Sequence, residues 1–349
     1  MKNLTIKDVR VALTDKCDYS CIYCNIYTNK ITEGKPARIM SKYYIVGNES
    51  YGLLKKPNKN KKRLTVRDYK FIFSSLRINF KTEDITFSGG DPLLHPRFKE
   101  VVEVARKEGM RTTAITKGLP LLGTKNEKEI KNKLGNLSRL IISIDTTNPI
   151  KYARENLPLM KFSEAKKILP QILKKIKTIN KKDYNIEVNS VIKPYYNSKT
   201  ILKENLEETN KIINFCLKNS IKKIKLIEID SLESLKRPYI EKYVKKIKAS
   251  NKNNIKIYPH RTHCPESSVK KVKKCRFSQG GELNIDFMGR SFLCQKNELF
   301  KFVDLHESIK ERDEKKFINK IIKINNNIEE QKCKMINYER KQKTSTYLA

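Results

Sequence analysis

Six short aliphatic, β-branched runs recur along the chain: Asp8 to Leu13, Ile85 to Phe87, Thr112 to Thr116, Arg139 to Ile144, Ile186 to Ile192 and Lys222 to Ile229. They are continuous rather than alternating, the pattern of parallel strands buried on both faces. Amphipathic stretches lie between them. Pro96 to Lys107 sets Phe98, Val101, Val102 and Ala105 on one side, and Gly109 ends it. Phe162 to Ile179 and Thr200 to Asn219 have the same character. Strand and helix in alternation predict parallel strands joined by right-handed crossovers. Six such units predict an α/β fold, a partial (β/α)6 barrel.

Two stretches interrupt the rhythm. Residues 28–63 read as an insertion rich in Lys, Asn, Gly and Pro, either a solvated loop, or a lid or docking surface for an anionic partner. Near Ala249 to Asn254 the composition turns polar, which predicts a boundary between a barrel over 1–248 and a smaller α+β domain over 249–349. No apolar run approaches the roughly 18 residues needed to cross a bilayer, and the first residues lack a continuous apolar stretch. A cytoplasmic globular protein without membrane contact is the expectation.

Composition changes this picture in one respect. The 349 residues carry 75 Lys and Arg against 38 Asp and Glu, a formal net charge of +37. An excess of that size can mark a polyanionic partner such as tRNA. Here it is spread over most of the chain, and Lys exceeds the planar Arg that specific phosphate recognition favours. The charge is read first as composition and solvated surface, with tRNA kept as an alternative partner.

Cysteine placement carries the chemistry. Cys17, Cys21 and Cys24 follow directly on the first predicted strand, whereas Cys264, Cys275, Cys294 and Cys333 cluster towards the other end. In a cytosolic chain such groups point to metal or redox chemistry rather than disulfides. Three thiolates with no nearby His do not complete a tetrahedral zinc site, but they suit a [4Fe–4S] cube with one iron left open. Cys216 shares a helical face with Ile212, Ile213 and Leu217 and reads as core.

The segment Cys17-Asp18-Tyr19-Ser20-Cys21-Ile22-Tyr23-Cys24 resembles the Cys-x3-Cys-x-aromatic-Cys signature of the radical S-adenosylmethionine superfamily. The resemblance implies that the open iron binds S-adenosylmethionine, whose reductive cleavage yields a radical able to abstract hydrogen from a substrate. It also implies a low-potential reductant such as flavodoxin or ferredoxin. Tyr23 matches the aromatic position that packs on the adenine. Gly89-Gly90-Asp91-Pro92, ending the second predicted strand, resembles that family's Gly-Gly-Glu-Pro motif, with Asp in place of Glu. Glycines there would let backbone approach a ligand closely. Thr116-Lys117-Gly118 stands where relatives carry Thr-Asn-Gly. Ser143-Ile144-Asp145 stands where they carry Ser-Leu-Asp, with Ser143 near S-adenosylmethionine. All lie at strand C-terminal ends, where barrel enzymes build their sites.

Cys275, Gly289 and Cys294 resemble the opening of the SPASM and twitch auxiliary domains. This implies a second iron–sulfur cluster held by Cys275, Cys294 and Cys333, with Cys264 a fourth ligand or a vacant corner in its place. A zinc ribbon is the alternative, since His260 and His263 flank Cys264. A hairpin of Leu283 to Phe287 and Ser291 to Leu293 would bring the first two of these thiols together. Over residues 8–230 the chain is similar to the GTP 3′,8-cyclase family, on Val9-Arg10-Val11-Ala12-Leu13-Thr14-Asp15-Lys16-Cys17 and Ile227-Glu228. It departs at Asp84-Ile85-Thr86, where that family has basic residues, so GTP is one alternative substrate beside a small metabolite or a peptide. Arg10 and Lys225 are kept as anion contacts to substrate. A non-catalytic metal-binding module is the remaining alternative.

Overall fold

The computed structural model describes residues 4–19, 21, 63–180, 184–192, 199–228, 240–250, 255–260, 282–292 and 303–330. All six expected strands form: β1 (Asp8–Thr14), β2 (Asp84–Gly89), β3 (Arg111–Thr116), β4 (Arg139–Ser143), β5 (Ile186–Ile192) and β6 (Lys223–Glu228). Each pairs with the next in parallel.

The sheet then extends past both edges. β7 (Lys256–His260) adds in parallel to β6. β8 (Glu282–Asp286) adds in parallel to β1, with Asp8 opposite Glu282 and Arg10 opposite Asn284. A tight turn at Gly289, where φ is +77°, leads into β9 (Arg290–Phe292), antiparallel to β8. β10 (Val303–Asp304) pairs antiparallel with β9. Among the described residues the order is β10-β9-β8-β1-β2-β3-β4-β5-β6-β7 in one sheet. Strands from beyond residue 249 are therefore continuous with the barrel sheet. No helix among the described residues is long and apolar enough to cross a membrane.

Alternation along the strands decides what faces what. Val9, Val11 and Leu13 of β1 and Ile85 and Phe87 of β2 join the helices in one buried core. The residues between them, Arg10, Ala12 and Thr14 on β1 and Thr86 and Ser88 on β2, point to the opposite side of the sheet. The helix α1 (Val66–Phe80) buries Tyr69, Ile72, Phe73, Leu76 and Phe80 at helical spacing. It opens with a capping box, Thr65 accepting from the Asp68 amide and Asp68 accepting from the Thr65 amide. Phe73 of α1, Phe87 of β2 and Phe98 of α2 (Phe98–Lys107) meet with ring centroids 6.3 and 5.7 Å apart. Burying each ring contributes about 2–3 kcal/mol, so this column pins two helices to the strand that carries the glycine pair.

The short helix α3 (His306–Glu311), which follows β10, docks on α1 through charge. Asp68, almost fully buried, takes an ion pair from Lys310 and another from Arg312 at 2.9 Å. Burial works against its charge, but Lys310 and the Thr65 backbone and hydroxyl outweigh it and hold the carboxyl below its usual range.

Candidate functional site

The strand ends of β1, β2, β3 and β4 assemble one interlocked group. As β1 ends, Thr14 turns its hydroxyl to accept from the Lys16 amide at 3.1 Å, starting the loop that carries Cys17 and Cys21. The glycine pair leaving β2 is stitched onto that loop by backbone alone. The Gly90 amide donates to the Thr14 carbonyl at 2.7 Å and the Asp91 amide to the Lys16 carbonyl at 2.8 Å. Gly89 has φ +117°, and a Cβ on it would stand 2.4 Å from the Thr14 oxygen. A Cβ on Gly90 would stand 2.0 Å from the Lys16 oxygen. The close approach that these glycines permit is thus to the chain's own cysteine loop.

Asp91 heads a short 3-10 turn, Pro92–Leu94, accepting from the Leu93 amide at 3.1 Å. Its second oxygen accepts from the Thr116 hydroxyl at 2.6 Å. Burial pushes the Asp91 carboxyl up to about 6, with Thr116, Leu93 and the Lys117 backbone pulling the other way. Thr116 also accepts from the Gly118 amide at 2.9 Å, and Gly118 takes φ +92°. The side-chain oxygen of Thr116 therefore joins two strand ends and a turn.

Beside it lies a feature that the motif reading does not predict. Lys117 is largely buried and pairs with Asp145 at 2.7 Å, the lysine side chain 13% and the aspartate side chain 4% exposed. Asp145 is held in turn by the Val191 amide at 3.0 Å. The Lys117 ammonium stands 5.9 Å from the ring centroids of both Tyr19 and Tyr152. Those rings meet edge to face at 6.3 Å. Tyr152 donates to the Tyr19 hydroxyl at 2.9 Å, and Tyr19 donates to the Lys117 carbonyl at 3.2 Å. Burial opposes the lysine charge, but Asp145 and the sulfur of Cys21 outweigh it and raise the ammonium well above the usual lysine range. Both sequence motifs, Thr116-Lys117-Gly118 and Ser143-Ile144-Asp145, were visible; their pairing across β3 and β4, and the tyrosine between the cysteines, were not.

The remaining candidates are placed as follows. Cys21 is buried and Cys17 half-buried on the loop after β1. Ser143 ends β4 opposite Asn189 of β5. Arg10 and Lys225 lie on β1 and β6, with the four strands β2 to β5 between them. The Lys225 ammonium stands 5.6 Å over the Tyr258 ring. Next to Lys225 in register is Asn189, and next to Arg10 is Asn284. The Asn189 side-chain oxygen and both side-chain polar atoms of Asn284 are buried without a hydrogen-bond partner among the described residues. Tyr23, Cys24, Cys264, Cys275, Cys294 and Cys333 lie outside the described residues, as do residues 28–62 of the insertion. Arg63, the last residue of that insertion, pairs with Asp15 of the cysteine loop at 2.8 Å.

The donor set fits an iron–sulfur group at this loop. Cys17 and Cys21 supply soft thiolate donors beside a buried cation, and the loop bearing them is fixed by main-chain bonds to the glycine pair.

The comparisons with known proteins agree in kind. The Radical SAM superfamily model matches residues 11–216. A curated relative, the S-adenosylmethionine-dependent nucleotide dehydratase of Selenomonas ruminantium, is 26% identical over 142 residues, 40% of this chain and 40% of that protein. The GTP 3′,8-cyclase of Aquifex aeolicus is 25% identical over 198 residues, 56% of this chain and 51% of that one. The chain thus spans about half or less of the length of these relatives. Among solved structures, Streptococcus suis SuiB bound to S-adenosylmethionine superposes with a TM-score of 0.58 at 12% identity. That match covers 87% of this chain and 64% of SuiB, and it speaks to fold.

Proposed function

Since the chain belongs to the radical SAM superfamily, we propose that it is an enzyme that cleaves S-adenosylmethionine reductively and abstracts hydrogen from a small-molecule or peptide substrate. When bound, a [4Fe–4S] cluster and S-adenosylmethionine, with one electron from a flavodoxin- or ferredoxin-type reductant, supply a 5′-deoxyadenosyl radical. Cys17, Cys21 and Cys24 hold the cluster. The backbone of Gly89 to Pro92 receives the amino group of S-adenosylmethionine, Tyr23 packs on its adenine, and Thr116 and Ser143 complete its surroundings. The observation that carries this reading is the interlock of the glycine pair with the cysteine loop, Gly90 to Thr14 and Asp91 to Lys16. It keeps the cysteine loop and the glycine turn in fixed relation, which supports their acting together.

Two separate places on the sheet support a polar substrate. The unpartnered Asn189 side-chain oxygen next to Lys225, and the unpartnered Asn284 amide next to Arg10, support one with hydrogen-bonding and anionic groups. A nucleotide is one such substrate, a reading favoured by the names of the two curated relatives. A second, auxiliary cluster held by Cys275, Cys294 and Cys333, with Cys264, is part of the proposal.

The test is anaerobic reconstitution followed by dithionite and S-adenosylmethionine. The wild-type chain forms 5′-deoxyadenosine, and the C17A/C21A/C24A chain does not. Equal amounts from both would sink the assignment. Iron near eight per chain, falling to about four in the triple variant, is the two-cluster expectation. Deuterium passing from a labelled nucleotide or peptide into 5′-deoxyadenosine identifies the substrate.

A further inference from the structure

The Thr-Lys-Gly sequence after β3 places a cation where the resembled family carries a neutral amide, and the surroundings explain why the chain tolerates it. A buried ammonium is costly unless paired. Lys117 is paired with Asp145 at 2.7 Å, and Asp145 is anchored by the Val191 amide at 3.0 Å. The two tyrosine rings, each 5.9 Å away, add favourable faces. One of those rings belongs to Tyr19, which sits between Cys17 and Cys21 and bonds the Lys117 carbonyl at 3.2 Å. The cation is therefore fixed against the cysteine loop from two sides, by its own backbone and by its charge.

A fixed positive charge beside a metal centre stabilises the more negative, reduced form and so raises the reduction potential. We propose that Lys117, held by Asp145 and caged by Tyr19 and Tyr152, is a positioning residue that raises the reduction potential of the cluster bound by Cys17, Cys21 and Cys24. This rests on the functional reading above. Its consequence is an enzyme whose cluster accepts an electron from a weaker reductant than the same loop carrying a neutral residue would need. The charge interaction of Lys117 with the sulfur of Cys21 agrees with this placement.

The test is an EPR-monitored redox titration of the full chain reconstituted under anaerobic conditions. K117M/D145N removes both charges without leaving a lone buried carboxylate, K117R keeps the cation, and K117Q is the single neutral variant should the double substitution fold poorly. The expected result is a lower midpoint potential in K117Q, a smaller drop in K117M/D145N, where the paired negative charge goes too, and a near-wild-type potential in K117R, with iron content equal in all. An unchanged potential in K117Q at full iron content would overturn the proposal and leave the functional reading standing. Loss of iron from K117R as well as from the neutral variants would reduce Lys117 to a structural part, and also overturn it. A wild-type chain that takes up no iron at all would overturn the functional reading itself.

Discussion

Thr116 donates a 2.6 Å hydrogen bond to Asp91, tying the end of the third strand to the turn that follows the second. The bond is buried, and it reaches a carboxylate that the site holds at an unusual acidity.

That acidity sets a pH dependence. Folding raises the Asp91 carboxyl from its ordinary value to about 6, burial being the chief cause. Below pH about 4 the group is protonated in both folded and unfolded chains. Between about 4 and 6 the unfolded chain loses its proton while the folded one keeps it, so stability falls as pH rises, by about 3 kcal/mol in all. Asp91→Asn removes this loss. In urea melts the variant should gain on the wild type between pH 4 and pH 7.5; a difference flat with pH refutes the argument.

Gly90 and Gly109 separate crowding from backbone conformation. Gly90→Ala drives a Cβ into the Lys16 carbonyl, backbone against backbone, and should cost about 2–4 kcal/mol. Gly109→Ala has open space around its Cβ but φ +75°, so only conformational strain of about 1 kcal/mol applies. Thermal melts of both variants rank them. Iron retention should drop in Gly90→Ala and stay level in Gly109→Ala.

The Asp68 clamp makes a second, opposite pH statement. Its carboxyl is held below the usual range, so its contribution is present above the unfolded pKa near 3.9 and is lost as pH falls through the folded value. Asp68→Asn should cost about 2–4 kcal/mol at pH 7, discounted from a fully buried pair because Lys310 and Arg312 are partly exposed. The gap between variant and wild type should narrow on acidification towards pH 3. A gap that is constant from pH 7 to pH 3 counts against the clamp.

The tyrosine pair is a coupled unit. Tyr152→Phe removes one donor to the Tyr19 hydroxyl and should cost about 1 kcal/mol. Tyr19→Phe removes that acceptor and the bond to the Lys117 carbonyl as well, and should cost more. The double variant should fall short of the sum, which a double-mutant cycle reads directly.

The barrel was legible because its strands are buried on both faces. Leu140-Ile141-Ile142 or Ile186 to Ile192 cannot be mistaken for surface, and the strand bounds agree to within a residue or two. β7 escaped because Lys256 and Tyr258 alternate with Ile257, a half-polar pattern that the neighbouring basic sequence conceals. α1 is amphipathic and capped, yet it follows directly on a run of lysines that draws the eye to a loop. At the site, local motifs announced the cysteine loop, the glycine pair and Thr116. Long-range pairings did not announce themselves: Lys117 with Asp145, Tyr19 with Tyr152, Asp68 with Arg312. Each joins residues whose types are ordinary and whose meeting is decided only by the fold.

The pairing of β8 with β1 has a bearing on assembly. The strand that launches the cysteine loop sits between β2 and β8, and its second neighbour follows it far along the chain, Glu282 lying opposite Asp8. Until then β1 is an open sheet edge, a site for mispairing and aggregation. The strand that carries the cysteine loop thus gains its second neighbour only when β8, far along the chain, has been made.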